Sequence, residues 1–235
     1  MKIIAHRGGA GLGCENTLSC IEAGLTCSST DMVEIDVHLT KDGEVVVMHD
    51  PDVNRMTDGK GRISNLTLKE IQSLRIKDKN GRATSDRIPT LREVLDSIGT
   101  RAGILLEIKK KDDCNDGIEK ACLDIIKECN AYDRVTVQSF NDIVLERFHA
   151  LDSGIRLEKL LYVRPFLMKK IMKKPYIASF NIYFRGFVTR RFVEKMHRMG
   201  KEVKVWTLQH PGNFHAENLD GIITDRPDLF SHQSI

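Results

Sequence analysis

At 235 residues the chain is long enough for one α/β barrel or two small domains. Hydrophobic residues make up 41% and charged residues 29%, which supports a packed core and excludes an intrinsically disordered chain. A net charge of +3, with no basic tail, RNA motif or zinc-finger spacing, gives no footing for nucleic acid.

The chain opens on "MKIIAHRGGA", where His6 and Arg7 interrupt the apolar run at once. A signal peptide needs about 7–15 apolar residues and a spanning helix about 20, so the expectation is a soluble, cytoplasmic protein without membrane insertion. Strands are expected over 2–6, 32–37, 44–49, 103–109, 134–140, 155–162, 176–182, 202–208 and 220–225. Helical patterns fall at 15–28, 90–99, 115–130, 141–151, 164–173 and 189–199. Strands separated by helices mean βαβ units and a parallel sheet, and the repeat over the whole length predicts a (β/α)₈ TIM barrel. No G-x-G-x-x-G follows the first strand, which weakens a dinucleotide fold.

Nine strands for eight barrel positions put one outside the barrel or make it no strand. Only "HLTKDGE" joins the second and third runs. Asp42-Gly43 suits an antiparallel hairpin, while an extended link of that length, spanning roughly 23 Å, also permits a parallel return without a helix. Residues 51–89 carry no barrel strand and hold Thr67 and Glu70 at capping-box spacing, so they read as a small insertion on the rim of a single domain, 1–235. Cys14, Cys20, Cys27, Cys114, Cys122 and Cys129 form no C-x-x-C pair and read as free thiols of a reducing compartment.

The chemistry is concentrated at strand ends. Side chains alternate along a strand, so Glu34 and Asp36 share the face opposite Val33, Ile35 and Val37; Glu107 and Lys109 share a face by the same rule. Charges inside a barrel are costly unless paired or metal-bound, and barrels present function at the C-terminal ends of their strands. Glu34, Asp36 and Glu107 could therefore converge on one divalent cation, with oxygen ligands suited to Mg²⁺ or Ca²⁺. The plainer alternative is a buried ionic network with Arg7 and Lys109. Beside a hard cation, Arg7 and Lys109 form a phosphate clamp, and His6 and His49 become a general acid and base.

"AHRGGAGLGCENTLSCIEAG", "VEIDVHLTKDGEVVVMHDPDVNRMTDGKG", "IPTLREVLD", "LLEIK", "VTVQSF", "VWTL" and "GIITDRPDL" together resemble the glycerophosphodiester phosphodiesterases over nearly the whole chain. The resemblance implies a metal-dependent TIM-barrel phosphodiesterase with an insertion after the His-Asp motif, and a parallel return through "HLTKDGE". It implies His6 and His49 as acid and base, Glu34, Asp36 and Glu107 as metal ligands, and Arg7 and Lys109 as phosphate binders. It places Trp206 near the glycerol end. Glu15 and Asn16 match the motif after the first strand; Glu15 reaches toward the metal, or both simply start a helix. Cys14 stands where the family usually has Pro, and Gln209 where it commonly has Asn, which bears on the glycerol side of the pocket.

The expected reaction is hydrolysis of a small-molecule glycerophosphodiester to sn-glycerol 3-phosphate and an alcohol. Three alternatives compete with it. A lysophospholipase D-like enzyme would use "IRLEKLLYVRPFLMKKIMKKP" on an anionic membrane, although one strand and a solvated helix explain the same stretch. A glycosidase would use paired carboxylates but has no need of Arg7, Lys109 or two histidines. A non-catalytic binding barrel should have lost one of the core residues.

Overall fold

The computed structural model describes residues 1–110, 116–162, 169–185, 188–213 and 218–232. Its nine strands are β1 (Lys2–Ala5), β2 (Met32–Leu39), β3 (Val45–Val47), β4 (Gly103–Ile108), β5 (Val135–Ser139), β6 (Arg156–Leu161), β7 (Ile177–Tyr183), β8 (Glu202–Leu208) and β9 (Gly221–Thr224). Eight of them pair in parallel in the order β1-β9-β8-β7-β6-β5-β4-β2, and a β1–β2 pairing closes the ring. The fold is a (β/α)₈ TIM barrel.

β3 is the strand outside the ring. It pairs antiparallel with β2, matching Val37 to Val47 and Leu39 to Val45. β1 covers only the first two residues of β2, through Ile4↔Met32 and Ala5↔Val33, and β3 pairs with its last three, Val37 to Leu39. This corrects the parallel return that the resemblance implied. The turn around Asp42-Gly43 is a tight reversal: Gly43 sits at φ +86 and Thr40 N donates to Glu44 O at 2.9 Å. A chain that reverses here needs no crossover.

The helices are α1 (Leu18–Leu25), α2 (Leu68–Gln72), α3 (Leu91–Ile98), α4 (Ile118–Glu128), α5 (Asp142–Leu151), α6 (Lys169–Met172) and α7 (Arg190–Arg198). Threonine or asparagine caps most of their N-termini. Thr67 and Thr90 each form a complete capping box with Glu70 and Glu93, and Thr17, Asn141 and Thr189 cap α1, α5 and α7. α1 begins later than its periodicity suggests because Asn16 is left-handed, at φ 60, and Thr17 is the cap.

Val33, Ile35, Val37, Ile104, Leu106 and Ile108 belong to the large apolar layer between sheet and helices. Burial of that layer is the main source of stability. Inside the ring a small cluster of Ile4, Met32, Leu105 and Ile223 lies among polar groups. Below the rim, Lys204 Nζ donates to Glu158 Oε1 at 2.6 Å and to Glu202 Oε2 at 3.0 Å, and Arg156 Nη2 pairs with Glu202 at 2.7 Å. Asn181 Nδ2 donates to both Glu158 Oε2 at 2.9 Å and Gln138 Oε1 at 2.8 Å. Glu158 is thus fully buried, and so is its neighbour Lys159, whose Nζ pairs with Asp142 Oδ1 at 2.8 Å. The basic stretch after residue 155 begins as the expected strand, β6, and its residues 163–168 lie outside the described residues. Between β3 and α3, Val53, Ile63, Ile71, Ile76 and Ile88 build a second small core with Val46 and Met48. Cys14, Cys20, Cys27, Cys122 and Cys129 are free thiols; Cys114 lies outside the described residues.

Candidate active site

The barrel mouth holds one polar pocket whose lining includes His6, Arg7, Glu34, His49, Glu107 and Lys109. Parallel register sets it up: Asp36 on β2 lies beside Glu107 on β4, which lies beside Gln138 on β5. Candidate ligand oxygens of Glu34, Asp36 and Glu107 come within 4.8 Å of one another, all buried. Three carboxylates that close in a water-poor space repel. Burial, with Asp36 and Glu107 nearby, pushes Glu34 well above the usual carboxylate range, and burial with Asp36 pushes Glu107 up to about 7. Burial acts the same way on Asp36, but Lys109 and Arg7 overcome it and hold Asp36 low. Asp36 Oδ1 accepts no hydrogen bond among the described residues, although Lys109 Nζ lies 3.2 Å away. A compact, hard, all-oxygen donor set of three buried carboxylates fits a divalent cation.

The cations sit against this cluster. Lys109 Nζ donates to Glu107 Oε1 at 2.8 Å and lies 3.2 Å from Asp36 Oδ1. Arg7 follows β1 in a left-handed conformation, φ 51, which turns its backbone N–H onto Glu34 Oε2 at 2.8 Å. Its side chain donates from Nη1 to Glu15 Oε1 at 3.0 Å, and Nε lies 3.5 Å from Asp36 Oδ2. Asn16 does not act as a helix start. Its Nδ2 donates to Asp36 Oδ2 at 2.8 Å and its Oδ1 accepts from Asp36 N at 3.2 Å. Glu15 bonds to arginines and makes no helix-start contact.

Each histidine is held by a carboxylate. His6 Nδ1 is 2.6 Å from Asp225 Oδ1, and His49 Nδ1 is 2.8 Å from Asp50 Oδ1. An ionised carboxylate accepts only, so both rings carry Nδ1–H and keep Nε2 free toward the pocket. His6 Nε2 is 4.0 Å from Glu34 Oε2. Burial lowers the pKa of His49. Because β3 runs antiparallel, His49 enters the mouth from a chain returning down beside β2: Met48 N donates to Asp36 O at 2.9 Å.

The other wall is aromatic. Trp206 donates from Nε1 to Asn181 O at 3.0 Å, and Phe140 and Tyr162 meet it edge-on at 5.6 and 4.9 Å between centroids. Phe140, Tyr162 and Trp206 line the pocket together with Leu160 and Ile223. All eight residues expected from the sequence therefore gather at this mouth. Asp225, Gln138, Phe140 and Tyr162 were missed. Asp225 carried the same signal as the others, a polar side chain just past a barrel strand. Gln209 donates from Nε2 to Asp225 Oδ2.

A profile described as "Glycerophosphoryl diester phosphodiesterase family" matches residues 6–229. The chain belongs to that family. Glycerophosphodiester phosphodiesterase from Caldanaerobacter subterraneus is 34% identical, across 96% of this chain and 94% of its own length. The Bacillus altitudinis glycerophosphodiester phosphodiesterase is also 34% identical, across 97% and 95%. An Oleispira antarctica phosphodiesterase, solved with the product sn-glycerol-3-phosphate, superposes with a TM-score of 0.88 at 27% identity, covering 97% of this chain and 94% of that one. Family membership makes the chain a glycerophosphodiester phosphodiesterase, a phosphoric diester hydrolase, and sets aside the glycosidase and non-catalytic readings. No helix among the described residues is long and apolar enough to cross a membrane.

Proposed function

We propose that the protein hydrolyses small glycerophosphodiesters to sn-glycerol 3-phosphate and an alcohol, in a cation-dependent reaction with His6 and His49 as the acid/base pair. The observation that carries this reading is the pairing of two carboxylate-held histidines on one pocket with Glu34, Glu107, Arg7 and Lys109. The residues 51–89 belong to the same single unit, as its rim insertion.

Glu34, Asp36 and Glu107 would hold one divalent ion, Mg²⁺ or Ca²⁺. Bound there, such an ion supplies Lewis-acid polarisation of a phosphoryl oxygen. Lys109 and Arg7 add a point charge and a planar donor against the remaining phosphate oxygens, and fixed charge aimed at a developing anion is usually a large catalytic contribution. One histidine, unprotonated at Nε2, takes a proton there from the nucleophile, either water or the glycerol hydroxyl, the latter giving a cyclic phosphate that water then opens. The other, protonated on both ring nitrogens, gives its Nε2 proton to the alcohol oxygen as the bond from that oxygen to phosphorus breaks. Asp225 and Asp50 hold Nδ1–H on both rings, so each proton moves through Nε2. Lys109 and Arg7 also keep Asp36 ionised. Trp206, with Phe140 and Tyr162 beside it, offers an apolar wall for the carbon face of the glycerol.

The test is release of sn-glycerol 3-phosphate from glycerophosphocholine and glycerophosphoethanolamine by the wild type, His6→Ala and His49→Ala. Each alanine variant should lose about 10²- to 10⁴-fold in kcat with its melting temperature retained. Retained turnover in either variant would remove that histidine from the chemistry.

A further inference from the structure

Arg55 lies in the segment between β3 and α3, outside the barrel ring, and its guanidinium reaches back to the site. Nε donates to Asp50 Oδ2 at 2.6 Å, and Nη2 donates to Asp50 Oδ1 at 3.2 Å and to Glu15 Oε1 at 2.6 Å. Asp50 Oδ1 is the atom that faces His49 Nδ1 at 2.8 Å. Glu15 Oε1 is the atom that accepts from Arg7 Nη1 at 3.0 Å. One guanidinium therefore holds two carboxylates, and each carboxylate holds one pocket residue.

None of Arg55, Asp50 and Glu15 is among the residues lining the pocket, while His49 and Arg7 both are. The arrangement depends on the planar fork of arginine. Two donors meet Asp50 and one of them also meets Glu15, a geometry that a lysine ammonium on a flexible stem does not reproduce. Arg55 is 47% exposed, so its packing contribution is small and its removal leaves the barrel core intact.

We infer that Arg55 is a positioning residue that couples the acid/base group His49 to the phosphate binder Arg7, through Asp50 on one arm and Glu15 on the other. The inference rests on the function proposed above. It gives the rim segment a part in the reaction: this segment fixes, from outside the ring, the relative placement of a proton carrier and an anion binder. Misplacing such groups by about 1 Å costs on the order of 10²-fold in rate.

The test is a mutant cycle on glycerophosphocholine hydrolysis, with melting temperatures recorded for every variant. Asp50→Ala should lower kcat, on the order of 10- to 100-fold, with KM within about twofold; Glu15→Ala should raise KM, about 10-fold, with kcat within about twofold. Arg55→Ala should do both. Arg55→Lys should recover neither arm. Added to the Asp50→Ala/Glu15→Ala double variant, Arg55→Ala should change kcat and KM by less than about twofold, because the groups through which it acts are gone. A full, multiplicative Arg55→Ala effect in the double variant would overturn the inference and place Arg55 on the substrate itself. An Arg55→Ala single variant within twofold of wild type would overturn it as well. Crystal structures of wild type and Arg55→Ala supply a readout independent of turnover. His49 and Arg7 should both shift, and unmoved side chains would end the inference. A wild type without turnover would instead contradict the phosphodiesterase reading, and the crystal structures would still decide the role of Arg55.

Discussion

His6 Nδ1 lies 2.6 Å from Asp225 Oδ1, a contact that joins the first strand end of the barrel to the last. Asp225 Oδ2 in turn accepts from Gln209 Nε2, so the carboxylate is fixed at both oxygens. Burial opposes its charge, but the hydrogen bond and charge of His6 hold its pKa below the usual range. Asp225→Asn removes that charge and permits the wrong tautomer of His6. It should lower kcat by about 10²- to 10⁴-fold with little change in melting temperature. Steady-state kinetics beside thermal melts would decide it, and an unchanged kcat would leave Asp225 a structural residue only.

Asp50 is held down to about 2, first by its hydrogen bonds from Arg55 and then by His49. A carboxylate with a lowered folded-state pKa stabilises the fold above its unfolded value, near 4, and that contribution is lost as pH falls through about 2. Asp50→Asn should therefore be less stable than wild type at pH 6, and the gap should close between pH 4 and pH 2. Urea titrations at stepped pH measure it. A gap that stays constant across that range would show that the Asp50 charge contributes nothing to stability.

Gly24 in α1 packs directly on the turn that carries His6 and Arg7. A Cβ at Gly24 would sit 2.2 Å from the Gly8 carbonyl oxygen, a backbone atom that cannot swing aside. Gly24→Ala should push α1 off the turn, destabilise the protein by about 1–3 kcal/mol and lower turnover as Arg7 N leaves Glu34. Denaturant unfolding and activity together check this, and a wild-type midpoint would mean that the helix shifts freely.

Lys204 is 1% exposed and bonds to the buried Glu158. Lys204→Met leaves that buried carboxylate only Arg156 and Asn181 as partners and should cost about 3 kcal/mol, whereas Lys204→Met with Glu158→Gln should cost clearly less. Equal losses in the single and double variants, read by denaturant unfolding, would mean the pair is not coupled.

Much of this was legible in the sequence, for identifiable reasons. Each strand edge falls within two residues of its expected place, because Val33, Ile35 and Val37 alternate with Met32, Glu34 and Asp36 as a barrel wall demands. The eight expected site residues meet because β1, β2, β4 and β8 close into one ring, while β3, paired antiparallel on β2, returns His49 to the same mouth. The direction of β3 was not fixed, since the link through Asp42-Gly43 suits both senses and only the seat left by the short β1 selects the antiparallel one. Asp225 has a local signal, its place just past a strand, but its partner His6 lies 219 positions away; Arg55 and Gln209 act on Glu15 and Asp225 across 40 and 16 positions, and local pattern carries no signal for such pairs. Gln209 was read as a change on the glycerol side, yet its partner is the carboxylate that holds His6. The burial of Glu158 has no local signal, because one of its two counter-ions, Lys204, lies two strands further on.

The central claim is that Glu34, Asp36 and Glu107 hold a cation required for phosphodiester hydrolysis. The most direct measurement is release of sn-glycerol 3-phosphate from glycerophosphocholine after chelation, then with Mg²⁺ or Ca²⁺ restored, for the wild type and Glu107→Gln. The account predicts no release after chelation, recovery of the wild type with one of the two ions, and little recovery of Glu107→Gln at the same concentration. Full activity in the chelated wild type would contradict it, and the three carboxylates would then be a buried ionic network with Arg7 and Lys109.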